Sequence, residues 1–162
     1  MAPVPGRRGT RKAPSVPSGR NPEEKAFFEQ ILALTKRVIY HVDGWFQNAV
    51  AANQNNVVLA LYQGNAPQVW VAPRDGWVHD LWISVDTPRT AGTLTLAVFK
   101  NTVQLGTATA VIDGVNTTYK LTQVDNRVLP FNAGDKLDLR ITTTAGWLPV
   151  TANARAGIEV EV

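Results

Sequence analysis

The chain has 162 residues, of which 44% are hydrophobic and 18% charged, and it contains no cysteine. That length fits about one domain with a single sizeable core, and the missing thiols exclude disulfides, thiolate metal centres and a cysteine nucleophile. The net charge of +3 is uneven, because residues 1–22 hold Arg7, Arg8, Arg11, Lys12 and Arg20 but none of the 13 acids. The first stretch is therefore basic and the remainder slightly acidic.

Residues 1–22 are rich in Pro, Gly, Ser and Arg, with only Val4 and Val16 as larger apolar residues. Such a segment buries too little surface to offset its ordering entropy, so it reads as a basic extended arm that orders only against a partner. It has no apolar stretch of the kind a secretory leader carries. No apolar run in the chain approaches the ~20 residues of a membrane span. The expectation is a soluble protein assembled in a reducing host cytoplasm, with no membrane partner.

An amphipathic helix is expected over residues 23–43. Asn21 suits the N-cap, Pro22 the first turn, and Glu24 stands where a capping box needs it, with Glu23 beside it. Phe27, Ile31, Leu34 and Val38 recur at steps of 4, 3 and 4, flanked by Phe28, Leu32 and Ile39. That is a heptad-like seam, too short to stand alone as a coiled coil; it reads as an amphipathic face on its own domain, with docking or self-association as the sharper assignment. Lys36 and Arg37 suit the C-terminal end, and Gly44 is the expected stop. Residues 44–56 read as a connection.

From residue 57 the apolar period changes to two. Strands are expected at 57–63, 68–72, 77–86, 93–100, 107–112, 117–122, 127–129, 136–143 and 157–162. Breaks fall at Gly64-Asn65, Pro73, Pro88, Asn101, Asp113-Gly114, Asn132 to Asp135 and Gly146 to Pro149. Alternation is clearest in Leu94, Leu96 and Val98 and in Leu137, Leu139 and Ile141. This pattern implies a mainly β fold, a jelly-roll β-sandwich over 57–162 behind the arm and one short helix.

No catalytic constellation emerges. His41 and His79 lie in different elements, and His79 and Asp80, adjacent in a strand, are expected on opposite faces. No metal site or cofactor is therefore assigned. Ser15, Ser18 and Ser84 lack a nucleophile elbow. Asp135 and Asp138 read as turn residues, and Glu159 and Glu161 as a solvent-facing strand edge. Trp45, Trp70, Trp77, Trp82 and Trp147 are assigned to core or intersubunit packing, with a sugar platform as the other use of such rings. Trp77 and Trp82 are expected on opposite faces of one strand, with one in the core. The arm lacks interleaved aromatics for base stacking. It is assigned to an acidic neighbouring protein surface, with phosphate contact or a solvated tail as the alternatives.

The segment from Val71 to Val162 resembles the trimeric jelly-roll domains of tailed-phage virion proteins, including capsid decoration proteins and tail-associated fibres. The matching features begin with Val71-Ala72-Pro73-Arg74-Asp75-Gly76 leading into Trp77–Val85, followed by Gly92-Thr93-Leu94-Thr95-Leu96. The turn Phe131-Asn132-Ala133-Gly134-Asp135-Lys136-Leu137 and the final strand Ala156-Gly157-Ile158-Glu159-Val160-Glu161-Val162 complete them. The resemblance implies a non-enzymatic homotrimer on the capsid surface, with the N-terminal segment attached to the major capsid protein. A tail fibre reading a host glycan, and a small icosahedral coat protein whose arm meets nucleic acid, are the rival expectations.

Overall fold

The computed structural model describes residues 21–35, 38–61, 69–124 and 127–162. Among the described residues there is one helix, α1 (Pro22–Thr35). The strands are β1 (Ile39–Gln47), β2 (Val57–Val58), β3 (Ala60–Leu61), β4 (Trp70–Val71), β5 (Gly76–Val85), β6 (Leu94–Lys100), β7 (Val103–Ile112), β8 (Tyr119–Gln123), β9 (Pro130–Phe131), β10 (Lys136–Thr143) and β11 (Ala154–Glu161). They form two antiparallel sheets. Sheet A runs β3-β1-β11-β5-β8, with β9 also on β5, and sheet B runs β2-β10-β6-β7, with β4 also on β10. The expected mainly β character with one short helix is what the structure has.

The helix is shorter than residues 23–43. It starts as expected, with the Glu24 N–H donating to Asn21 Oδ1 at 2.8 Å. It stops at Thr35, and Ile39–Gln47 is strand rather than helix or connection. Val38 is thus not a helix residue; its N–H and carbonyl pair with Val162. The helix belongs to one unit, and the sheets form another that begins at Val38 rather than at residue 57.

The cause is tertiary pairing. Ile39, Tyr40 and Val42 suit a pleated surface, and β11 aligns antiparallel with them, Ile39 opposite Glu161 and Val42 opposite Ile158. The register then slips between Val42 and Trp45, where Gly44 adopts φ 99°. A bulge inserts one residue, so Val42 and Trp45 both face the core. Their spacing of three imitates a helical face, and Gly44 is a bulge residue rather than a helix stop.

A second bulge shapes β5. Its register with β11 slips between Glu159 and Val160. Val78 points inward before the slip, and Leu81, Ile83 and Val85 point inward after it. His79 and Asp80 consequently share the outer face, and so do Trp77 and Trp82. The expected opposite-face arrangement fails for both pairs because the alternation skips one residue.

Other strand limits move for local reasons. β7 begins at Val103 because Asn101 and Thr102, at φ 50° and 76°, form a two-residue hairpin joining Lys100 to Val103. Asn101 anchors this turn, donating to Asp135 Oδ1 and accepting from the Lys136 N–H. The strand expected at 57–63 divides between sheets. β2 pairs with β10, β3 pairs with β1, and buried Leu59 between them donates its N–H to the Leu139 carbonyl at 2.9 Å. Near the end, pairing with β5 starts at Ala154 instead of residue 157. The break at Gly64-Asn65 and the helix-end bases Lys36 and Arg37 lie outside the described residues.

Leu94, Leu96 and Val98 of β6 and Leu137, Leu139 and Ile141 of β10 meet Ile83, Ile158 and Val160 of sheet A in one core. Each such side chain contributes about 1.5–3 kcal/mol on burial. Trp45 and Trp147 are fully buried there. The Trp147 ring N–H donates to the Val50 carbonyl at 3.0 Å, joining the loop after β1 to the loop before β11. Asp138 is also buried, not a turn residue: it lies within β10 and takes two hydrogen bonds from Arg140, at 2.6 and 3.2 Å. The Arg140 guanidinium lies 4.1 Å over the Phe99 ring.

Candidate functional site

Arg7, Arg8, Arg11, Lys12 and Arg20 lie outside the described residues. In α1, Phe27 is 60% exposed and Ile31 38% exposed, with Phe27 edge-on to Phe28 at 6.2 Å. Leu34 lies on this helix, and its side chain is outside the described set. The helix therefore presents Phe27 and Ile31, while Val38 serves the first strand's pairing with the chain end.

The five tryptophans divide into two groups. Trp45 and Trp147 are core residues and offer no ring to a partner. Trp70 is half-buried and meets Phe131 edge-on at 5.8 Å. Trp77 and Trp82 stand half-buried on the outer face of sheet A. Arg127 lies over the Trp77 ring at 4.6 Å and reaches Glu161 at 3.9 Å. Trp82 stacks on Tyr119 with centroids 6.5 Å apart and an interplanar angle of 29°.

The outer face of sheet A is a mixed aromatic and charged surface. Ile39, Tyr119 and Leu121 are exposed upon it. Glu159 and Glu161 lie on β11, which runs between β1 and β5, and are half-buried rather than at an edge. His41 Nδ1 stands 3.5 Å from Glu159, and His79 Nδ1 stands 3.4 Å from Asp80.

At one end of this face is a depression of about 910 Å³, lined by residues including Asp43, Phe46, Asn48, Trp82, Ser84 and Arg155. Two of its lining side chains, Trp82 and Asp43, close in over Gly157 on β11. Its rim is held by Asp86, which accepts from the Asn153 backbone N–H at 2.8 Å and the Asn153 amide at 2.6 Å. These bonds, with a lesser one from Thr87, hold the Asp86 carboxyl below its ordinary range. The lining combines the Trp82 and Phe46 rings with the polar Asp43, Asn48, Ser84 and Arg155, so the depression suits a polar ligand with a flat apolar face.

Sequence reading found Trp82 as an interface aromatic but missed its neighbours Tyr119, Asp43 and Arg155. They come from β8, β1 and β11, and only the strand order brings them together. No helix among the described residues is long and apolar enough to cross a membrane. No protein-family model matches the sequence, and no curated protein matches it.

Proposed function

We propose that the protein is a non-enzymatic virion component, a capsid decoration protein with a trimeric jelly-roll domain attached to the phage head through its N-terminal segment. The strand order carries the reading. The two antiparallel sheets order their strands β1-β11-β5-β8 and β2-β10-β6-β7, an order compatible with the paired four-stranded sheets of a jelly roll. The separate N-terminal unit and the exposed Phe27 and Ile31 support a division between an attaching segment and a packing domain.

In this reading the jelly roll associates with its own copies, and the basic arm lies on an acidic surface of the major capsid protein. Bridging neighbouring capsid subunits adds contact area that opposes expansion of the shell. Three linked arms bind far more tightly than one, because the second and third engage at high effective concentration. The test is binding of the whole protein and a form lacking residues 1–22 to undecorated heads. Much weaker occupancy by the shortened form is expected; equal occupancy removes the arm from the mechanism.

The depression beside Trp82 favours a second reading, a tail fibre or receptor-binding module that recognises a host glycan. Aromatic rings facing polar side chains are what sugar binding uses, since each pyranose has an apolar face. This reading expects glycan-array binding that is lost in Trp82→Ala, and a blank array would remove it.

A further inference from the structure

The bulge in β5 brings together three side chains with the chemistry of a metal site. His79 and Asp80 share the outer face of sheet A, and Asp80 lies directly opposite Glu159 on β11. One ligand atom from each of His79, Asp80 and Glu159 falls within 4.8 Å of the other two. Directly opposed carboxylates on neighbouring strands repel each other. His79 Nδ1 and Asp80 Oδ1 are both buried atoms with no hydrogen-bond partner among the described residues. A buried polar atom left unpaired is costly, so an imidazole nitrogen beside two opposed carboxylates, one of them with an unpaired buried oxygen, points to a cation shared among them.

We propose that His79, Asp80 and Glu159 bind a divalent first-row transition-metal ion. The donor set decides the class. Ca²⁺ takes six to eight oxygen ligands, whereas an imidazole with two carboxylates suits Zn²⁺ and its neighbours. The geometry agrees. Zn–ligand bonds of about 2.0–2.1 Å in a tetrahedron separate adjacent ligand atoms by about 3.3 Å. His79 Nδ1 and Asp80 Oδ2 already stand 3.4 Å apart, and rotation of the Glu159 side chain completes the third edge. The fourth position is left to water.

His41, paired with Glu159 at 3.5 Å from the β1 side, is a positioning residue that orients the ligating carboxylate. The ion clips β5 to β11 where their register slips. It binds the folded chain alone and raises its stability by mass action.

The test is calorimetric titration of the chelator-treated full-length protein with Zn²⁺, beside thermal unfolding with and without Zn²⁺. One equivalent is expected, with an unfolding midpoint that rises with Zn²⁺ and returns on adding a chelator. Affinity falls at least tenfold in His79→Gln and in Glu159→Gln, and by a smaller factor in His41→Gln. Circular dichroism identifies which variants fold, and Asp80→Asn replaces either that does not. No binding, undiminished binding in these variants, or equal binding of Ca²⁺ or Mg²⁺ overturns the proposal. So does a loss in His41→Gln as large as that in His79→Gln, because it moves the ion to the His41–Glu159 pair.

Discussion

Trp82 lies across Gly157 so closely that a Cβ at residue 157 would stand 2.7 Å from the indole Nε1 and 2.6 Å from Asp43 Oδ1. The glycine makes room for the ring, and the ring in turn stacks on Tyr119. A bare backbone in the middle of β11 thus sets the shape of the outer face.

Gly157→Ala is expected to push Trp82 off the sheet and reshape the depression. Overpacking of this kind costs about 1–3 kcal/mol. Urea denaturation followed by tryptophan fluorescence measures the loss, and the emission of the native state shifts as the ring gains water. Unchanged stability and emission would show that Trp82 and Asp43 yield without strain.

Trp147→Phe removes one hydrogen bond together with part of the buried indole. The Val50 carbonyl loses its donor, at a cost of about 1–3 kcal/mol. Trp147→Ala adds a cavity, for a total of about 3–5 kcal/mol. Equilibrium unfolding of both variants checks the ordering.

Asp86 and Asp135 predict how stability responds to acid. Hydrogen bonds from Asn153 lower the Asp86 pKa, and those from Asn132 and then Asn101 lower that of Asp135. A carboxyl whose folded value is depressed stabilises the fold above its unfolded value of about 3.9 and loses that contribution as pH falls through the folded value. Stability is expected to decline below about pH 4, and Asp86→Asn and Asp135→Asn each to flatten that decline. Chemical denaturation between neutral and strongly acidic pH reads the slopes.

Asp138→Ala strands the Arg140 guanidinium beside Phe99. Loss of its two charge-assisted bonds is expected to cost about 1.5–3 kcal/mol. Arg140→Met, which keeps an apolar stem on Phe99 but leaves the buried carboxylate unpaired, is expected to destabilise as well. Thermal unfolding of the two variants distinguishes this pair from an exposed ion pair, whose removal costs little.

The strands with unbroken alternation were legible from their residues. Leu137, Leu139 and Ile141, like Leu94, Leu96 and Val98, repeat at two, and both segments are strands facing the core. What stayed hidden were the irregularities. Val42 and Trp45 carry helix-like spacing because a bulge lies between them, and the same device in β5 reverses the expected faces of His79, Asp80 and Trp82. An inserted residue has no period of its own, so only the partner strand reveals it. The candidate site suffers twice, since both bulges border the outer face of sheet A. Asp138 shows a different limit: its burial depends on Arg140 folding back along the same strand, which residue type alone does not announce.

The copy number and position of the protein in purified particles, from quantitative mass spectrometry with cryo-electron microscopy, test the central reading most directly. The account predicts trimers repeated across the whole head lattice, each jelly roll outermost and each N-terminal segment against the shell. A few copies confined to the tail, or a particle without the protein, would contradict it.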